Sequence, residues 1–164
     1  MRALFITLSI TVIAWTAGTA RAADKADVMA VVHHYVDALS KGQADSTPVL
    51  CTDSAVIIDD FPPHVWSGAG TCANWVKDFT AYLTAAQISD AVATLGKPRH
   101  VDVTRDRAYV VVPASFAYKL KGKPMRDVGA TWTFALQKQP GGWRITGWAW
   151  SGGKDVPGET PAAP

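Results

Sequence analysis

Glutamate is almost missing from this 164-residue chain: thirteen aspartates stand against one glutamate, Glu159. Helix-rich chains use glutamate freely, so the bias leans toward strands and turns. Charge is scarce too, at 18% of residues against 48% hydrophobic, and mean hydropathy is +0.06. That balance excludes a disordered chain, which would be charge-rich and poor in apolar side chains. Thirteen glycines and ten prolines are too few for collagen or low complexity, but they suit many turns. No nucleophile elbow, phosphate-binding loop, dinucleotide fingerprint or zinc-protease helix occurs. Ser115 and Ser151 have no His–Asp order around them. There is no internal repeat, and the length fits one domain able to bury a proper core.

What is present begins with a segment outside that domain. Met1-Arg2 precedes an uncharged apolar run, ALFITLSITVIAWTAGT, and then Ala20-Arg21-Ala22. This pattern reads as a secretory signal over residues 1–22, cut before Ala23. The other reading is an uncleaved N-terminal anchor, since the run is about as long as a short spanning helix. No later segment is apolar enough to span, so no membrane association is expected after cleavage. The expected location is periplasmic or secreted. Removing Arg2 and Arg21 takes the charge from 16 basic against 14 acidic to an even balance. The sequence pI near 8.6 is thus partly a property of the leader. No basic stripe marks a nucleic-acid partner. The densest basic stretch, Lys119 to Lys123, reads as a solvated hairpin tip.

Cys51 and Cys72 are the only cysteines. In an exported chain an even pair reads first as a disulfide, and two buried free thiols are the other reading. Neither cysteine has a zinc-type neighbour.

Residues 24–42 carry a helical stripe of Val28, Val31, Val32, Tyr35, Ala38 and Leu39, with Asp24 as N-cap and Gly42 as stop. A short second helix is expected at 45–51, a strand at 54–59 and a third helix at 71–84 capped by Thr71. DDFPPHVWSGAG between them reads as loop. From Ile88 onward long strands alternate with turns at Arg105-Asp106, Lys121-Gly122 and Pro140-Gly141. The tail 152–164 is Gly/Pro/Ala-rich and reads as disordered. Three helices followed by a strand meander predict an α+β fold, a cone-shaped barrel with the helices on a curved antiparallel sheet, over residues 23–151. Such a cone encloses a small-molecule pocket.

VMAVVHHYVDALSKGQADSTPVLCTDSAVIIDD resembles the N-terminal part of ketosteroid isomerase and its relatives, the SnoaL-like polyketide cyclases and the wider nuclear transport factor 2-like superfamily. WSGAGTCANWVKDF and GWRITGWAW are similar to that superfamily's third-helix entry and last strand. The resemblance covers most of residues 24–151. It implies the cone fold, a small hydrophobic ligand, no cofactor and a homodimer formed through the sheet. It implies two catalytic positions, Tyr35 as hydrogen-bond donor to a substrate oxyanion and Asp59 as general base at carbon. In the isomerases a protonated aspartate completes the oxyanion hole. Here the corresponding stretch, about Gly129 to Thr133, reads GATWT and holds no acid.

The residues on their own leave alternatives open. Tyr35 lies on the apolar stripe, where a core tyrosine with an ordinary hydrogen bond is expected as readily as a catalyst. Asp59 shares a strand face with Ile57, and an acid there gains a raised pKa if desolvated. It could equally cap the turn before Pro62-Pro63. Asp60 is expected to face solvent. His64 is placed over the pocket mouth, and Trp66, Phe116, Trp132 and Trp148 are candidate ligand contacts. Trp148 and Trp150 are expected to share a face with Thr146. Asp59, Asp60 and His64 match no metal-site spacing, so no metal is expected. Three functions follow: an exported binding domain for a small hydrophobic molecule, a proton-transfer isomerase or cyclase, or a structural domain.

Overall fold

The computed structural model describes residues 16–158, with side chains from Ala22 onward. Most of the expected leader and the last six residues lie outside the described residues. Helix α1 (Thr16–Ser40) buries Val28, Val32, Tyr35, Val36 and Ala38 on one stripe, as their spacing requires. It begins eight residues before Asp24, which is not its cap; Asp24 instead pairs with Lys138 at 2.6 Å. Gly42, at φ +69°, ends the helix: Gln43 N–H bonds the Ala38 carbonyl at 2.8 Å and Gly42 N–H that of Leu39 at 3.1 Å.

Two single 3₁₀ turns, Ala44–Ser46 and Pro48–Leu50, replace the expected second helix. Pro48 has no N–H to donate, so the turn at Ala44–Ser46 cannot run on through it as one helix. Then come β1 (Cys51–Ile58), β2 (Val65–Ser67), α2 (Thr71–Ala85), β3 (Ile88–Leu95), β4 (His100–Thr104), β5 (Arg107–Leu120), β6 (Lys123–Gln139), β7 (Gly142–Ser151) and β8 (Lys154–Pro157). Gly70, not Thr71, caps α2, with φ +71°.

The sheet runs β2-β1-β7-β6-β5-β3, with β4 also on β5 and β8 also on β6. Its curvature leaves a concave face against α1 and α2, the cone expected from the sequence. One pairing departs from the expected antiparallel pattern: β1 runs parallel to β7. The core lies between the concave face and the helices. Its fully buried members include Phe134, Ile57, Leu136 and Ile145, each contributing roughly 1.5–3 kcal/mol by leaving water.

Three further details correct the expectations. Val65–Ser67, inside the supposed loop, pairs with β1. The tail is ordered as far as β8, which adds to β6 from Met125↔Pro157 to Val128↔Lys154. A register shift between Ala135 and Leu136 in the β6–β7 pairing turns Ile145 and Trp143 inward, so Thr146 does not share the Trp148 face. Cys51 and Cys72 form a disulfide, joining the start of β1 to the first turn of α2. Closing that loop stabilises the fold by about 3 kcal/mol in the chain-entropy view.

Candidate functional site

A cavity of about 430 Å³ opens between α2, the concave sheet and the C-terminal strand. Eight of its lining residues are aromatic. Phe61, Trp75, Phe79 and Tyr82 come from the β1–α2 side, and Phe116, Tyr118, Trp132 and Trp150 from the sheet. Trp75 stacks on Phe79 at 4.8 Å and Phe61 on Tyr82 at 4.9 Å, which fixes the rings of that side relative to one another.

Asp59 follows β1 directly and lines this cavity at 8% exposure. The alternation Ala55, Ile57, Asp59 turns it inward. Its backbone N–H donates to the His64 carbonyl at 3.0 Å, so the loop to β2 pins the residue. Trp75 Nε1 donates to Oδ2 at 2.9 Å, and the Asp60 backbone N–H donates to Oδ1 at 2.8 Å. Burial pushes the carboxyl up to about 7, and the Asp60 charge adds to the rise; the two donated hydrogen bonds oppose it. The strand-end alternative is therefore also present in part, because Asp59 does receive the N–H of the next residue.

Asp127, on β6, lines the same cavity at 9% exposure. Gly153 N–H donates to its Oδ1 at 2.8 Å. Burial raises its pKa, and the charges of Asp155 and Asp60 raise it further. Asp60 and Asp155 also line the cavity, so Asp60 is not simply solvated. The chain turns as β1 ends, and alternation no longer sends Asp60 to the other face.

Of the expected ligand contacts, Phe116 and Trp132 line the cavity. His64, Trp66 and Trp148 do not. His64 is exposed on the loop, with Nδ1 3.2 Å from the Asp59 carbonyl oxygen. Trp66 is buried behind Phe61, and its Nε1 donates to Asp78 at 2.9 Å. Trp148 lies behind Trp75, edge-to-face at 4.9 Å. Tyr35 is 0% exposed and is not part of the wall. Its hydroxyl accepts a hydrogen bond from Trp148 Nε1 at 3.0 Å, and burial raises its pKa well above the ordinary phenol range. Tyr35 and Asp59 are thus linked through Trp148 and Trp75 and do not share an open face.

The sequence reading missed Asp127 because of a bulge. Ala114 pairs with Ala130, but Phe116 pairs with Asp127, so β6 carries one extra residue there. Gly129, at φ +82°, accommodates it. Counting in twos from Trp132 sends residue 127 outward; the bulge turns it inward. A glycine inside a strand pattern was the available signal.

Residues 20–149 match the family described as the SnoaL-like domain. The chain belongs to that family. No curated protein matches it in sequence. Solved structures similar to this SnoaL-like domain include hexachlorocyclohexane dehydrochlorinase LinA type 2. That similarity has TM-score 0.72 and 12% identity, covering 89% of this chain and 99% of that one. LinA type 3 from Novosphingobium barchaimii LL02 gives TM-score 0.71 and 13% identity over 85% and 93% of the two chains. A scytalone dehydratase candidate from Novosphingobium aromaticivorans DSM 12444 gives 0.70 and 9% over 89% and 95%. At these identities the likeness is one of fold, the nuclear transport factor 2-like cone.

Proposed function

We propose that this SnoaL-like domain binds a small hydrophobic molecule in its cavity and moves a proton at one of its carbons, with Asp59 as the base. The observation that carries the reading is a carboxylate held at 8% exposure in the wall of an aromatic cavity, with its pKa pushed up to about 7. A base with a pKa near the working pH is both available and strong enough to act. The Asp59 carboxylate takes a proton from carbon. The electron pair left behind moves into an adjacent carbonyl, giving an enolate, or expels a leaving group on the next carbon. Burial and the acidic neighbours of Asp127 raise its pKa, and in its protonated form it donates a hydrogen bond to the developing negative charge. It occupies the role for which GATWT offered no acid. Tyr35 acts from behind the wall, holding Trp148 and through it Trp75. The names dehydrochlorinase and dehydratase both describe eliminations, which supports proton removal as the shared step.

A non-catalytic carrier is the second reading. It is favoured by the two hydrogen bonds that Asp59 already accepts. The open cavity weighs against a purely structural role. Solution NMR in D₂O separates the first two. Hydrophobic ketones and halogenated or hydroxylated ring compounds that bind should exchange carbon-bound hydrogen, or lose HX or water. The rate should rise with pH through about 7, as Asp59 ionises. Bound compounds that never exchange or eliminate would leave a carrier.

We also propose export and pairing of two copies. Cleavage before Ala23 would leave residues 23–40 as the first helix and bring Asp24 into its first turn, where an acid suits the dipole. Among the described residues no helix is long and apolar enough to cross a membrane. On the convex side of the sheet Val56, Ile58, Val65 and Tyr109 are 44–55% exposed, a face suited to a second copy. Native mass spectrometry of protein recovered from the periplasm or medium should give a dimer of chains starting near Ala23. A full-length chain would remove the export proposal, and a monomer at micromolar concentration the dimer.

A further inference from the structure

One indole is fixed against the carboxyl of Asp59. Trp75 Nε1 donates to Oδ2 at 2.9 Å, with Trp75 at 2% exposure and Asp59 at 8%. A hydrogen bond to an ionised group is strong, and burial shields it from competing water. The indole is held on several sides. Phe79, four residues on along α2, stacks on it at 4.8 Å and 13°, and Trp148 meets it edge-on at 4.9 Å. Cys72, three residues earlier, shares the buried side of α2 and is bonded to Cys51 at the start of β1. A covalent tie therefore joins the helix that carries Trp75 to the strand that runs into Asp59.

A carboxylate offers about four acceptor positions. Trp75 and the Asp60 N–H take one on each oxygen, so about half remain for a substrate proton. We propose that Trp75 is a positioning residue for Asp59: its indole N–H aims the carboxylate into the cavity and stabilises the ionised form in which it acts as base. The direction agrees with the balance at Asp59, where burial raises the pKa and the Trp75 bond lowers it. This rests on Asp59 being the proposed base, and it names what regulates the pH at which that base works. The other titratable groups around Asp59 are Asp60 and His64 on its own segment, Tyr35 on α1 and, lining the same cavity, Asp127 on β6 and Asp155 on β8. α2 and β5 add the phenols of Tyr82 and Tyr118. A substitution at Trp75 leaves all of them in place.

The test puts 3-benzothienylalanine at position 75, which keeps two fused rings and has sulfur where the N–H stood; Trp75→Phe is the second variant. Carbon-13 NMR follows the Asp59 carboxyl through a pH titration of each folded protein, so no turnover is needed to read it. Both substitutions should raise its midpoint by about one to two pH units, the worth of a hydrogen bond to a charged group. In the wild type the Trp75 Nε1–H proton resonance should move downfield with the same midpoint as the carboxyl, and Asp59→Asn should lose that step. Where turnover is seen, its rise with pH should move up with the carboxyl midpoint. An unmoved or lowered midpoint in both variants, with circular dichroism showing an intact fold, would overturn the proposal and leave Asp59 as the base. If neither variant folds, the wild type decides, and a Trp75 N–H signal indifferent to the Asp59 midpoint overturns it. A raised midpoint in a protein that turns nothing over would uphold the hold of Trp75 on Asp59 and remove the reaction built on it.

Discussion

Changing Asp59 to Asn is expected to cut turnover by roughly 10²–10⁴-fold, the usual worth of a positioned general base. The amide keeps the size of the side chain and can no longer take a proton. The rise of rate with pH through about 7 should vanish with it, because that limb reports Asp59 ionising. Ligand affinity should change far less, since the aromatic walls are untouched. Stability supplies an independent readout. The folded pKa of Asp59 lies above its ordinary 3.8, so the folded state holds this proton more tightly. The stabilisation from that proton is complete below about pH 4 and is lost as pH climbs through about 7. Asp59→Asn removes this loss, so the gap between melting temperatures at pH 4.5 and pH 8 should narrow. It should not close, because Asp127 also has a raised pKa. Asn cannot accept from both Trp75 Nε1 and the Asp60 N–H, which costs about 1 kcal/mol at either pH and so cancels in the comparison. Unchanged turnover together with an unchanged pH gap would remove Asp59 from the chemistry.

How far the site could be read beforehand differs from element to element. Ala55, Ile57 and Asp59 alternate without interruption, so the inward turn of Asp59 follows from counting in twos. Phe116 and Tyr118 line the cavity for the same reason. The α1 stripe puts Tyr35 in the core, but periodicity gives a direction and no depth. Which residues stand between Tyr35 and the cavity depends on how α2 packs, and Trp75 and Trp148 fill that space. The alternation fails where the sheet bends. One extra residue near Gly129 reverses the facing of Asp127, and an irregularity near Ile145 and Gly147 does the same below Trp148. β8 was hidden by composition: four residues among Gly, Pro and Ala have no pattern of their own, and β6 supplies their partner. Asp127 and Asp155 sit on these illegible pieces, a bulge and a short added strand, and the turn after β1 brings Asp60 to the same wall, so the cavity has four acids where the sequence reading held one.

Gly153→Ala should then disable the site while sparing the rest of the fold. A Cβ at position 153 would run into the Val128 carbonyl oxygen and would come within 2.7 Å of both the Ala130 nitrogen and Asp127 Oδ1. Two of these are backbone atoms of β6 in the middle of the sheet, which cannot yield as a flexible side chain would. The last strand must therefore move. Once β8 leaves β6, Asp127 loses the Gly153 N–H, and the Asp155–Tyr118 hydrogen bond goes with it. Asp127 is then more open to water, and its oxygens are no longer aimed. Turnover should fall about as far as when one oxyanion donor is removed, roughly 10²–10³-fold. The core beneath draws on α1, α2, β1, β2, β4, β5, β6 and β7 and on no residue of β8, so the thermal transition should stay cooperative and shift by only a few degrees. Hydrogen exchange should report the cause directly, with protection lost at Lys154 to Val156 and retained at Val110 to Val112. Gly141→Ala is the control: its Cβ would meet only the Arg144 guanidinium, at 3.8 Å, in the β6–β7 turn. If Gly153→Ala keeps full activity with β8 still protected, the strand tolerates the clash and the glycine is not what aims Asp127. If activity survives although β8 has lost its protection, Asp127 plays no part in the reaction.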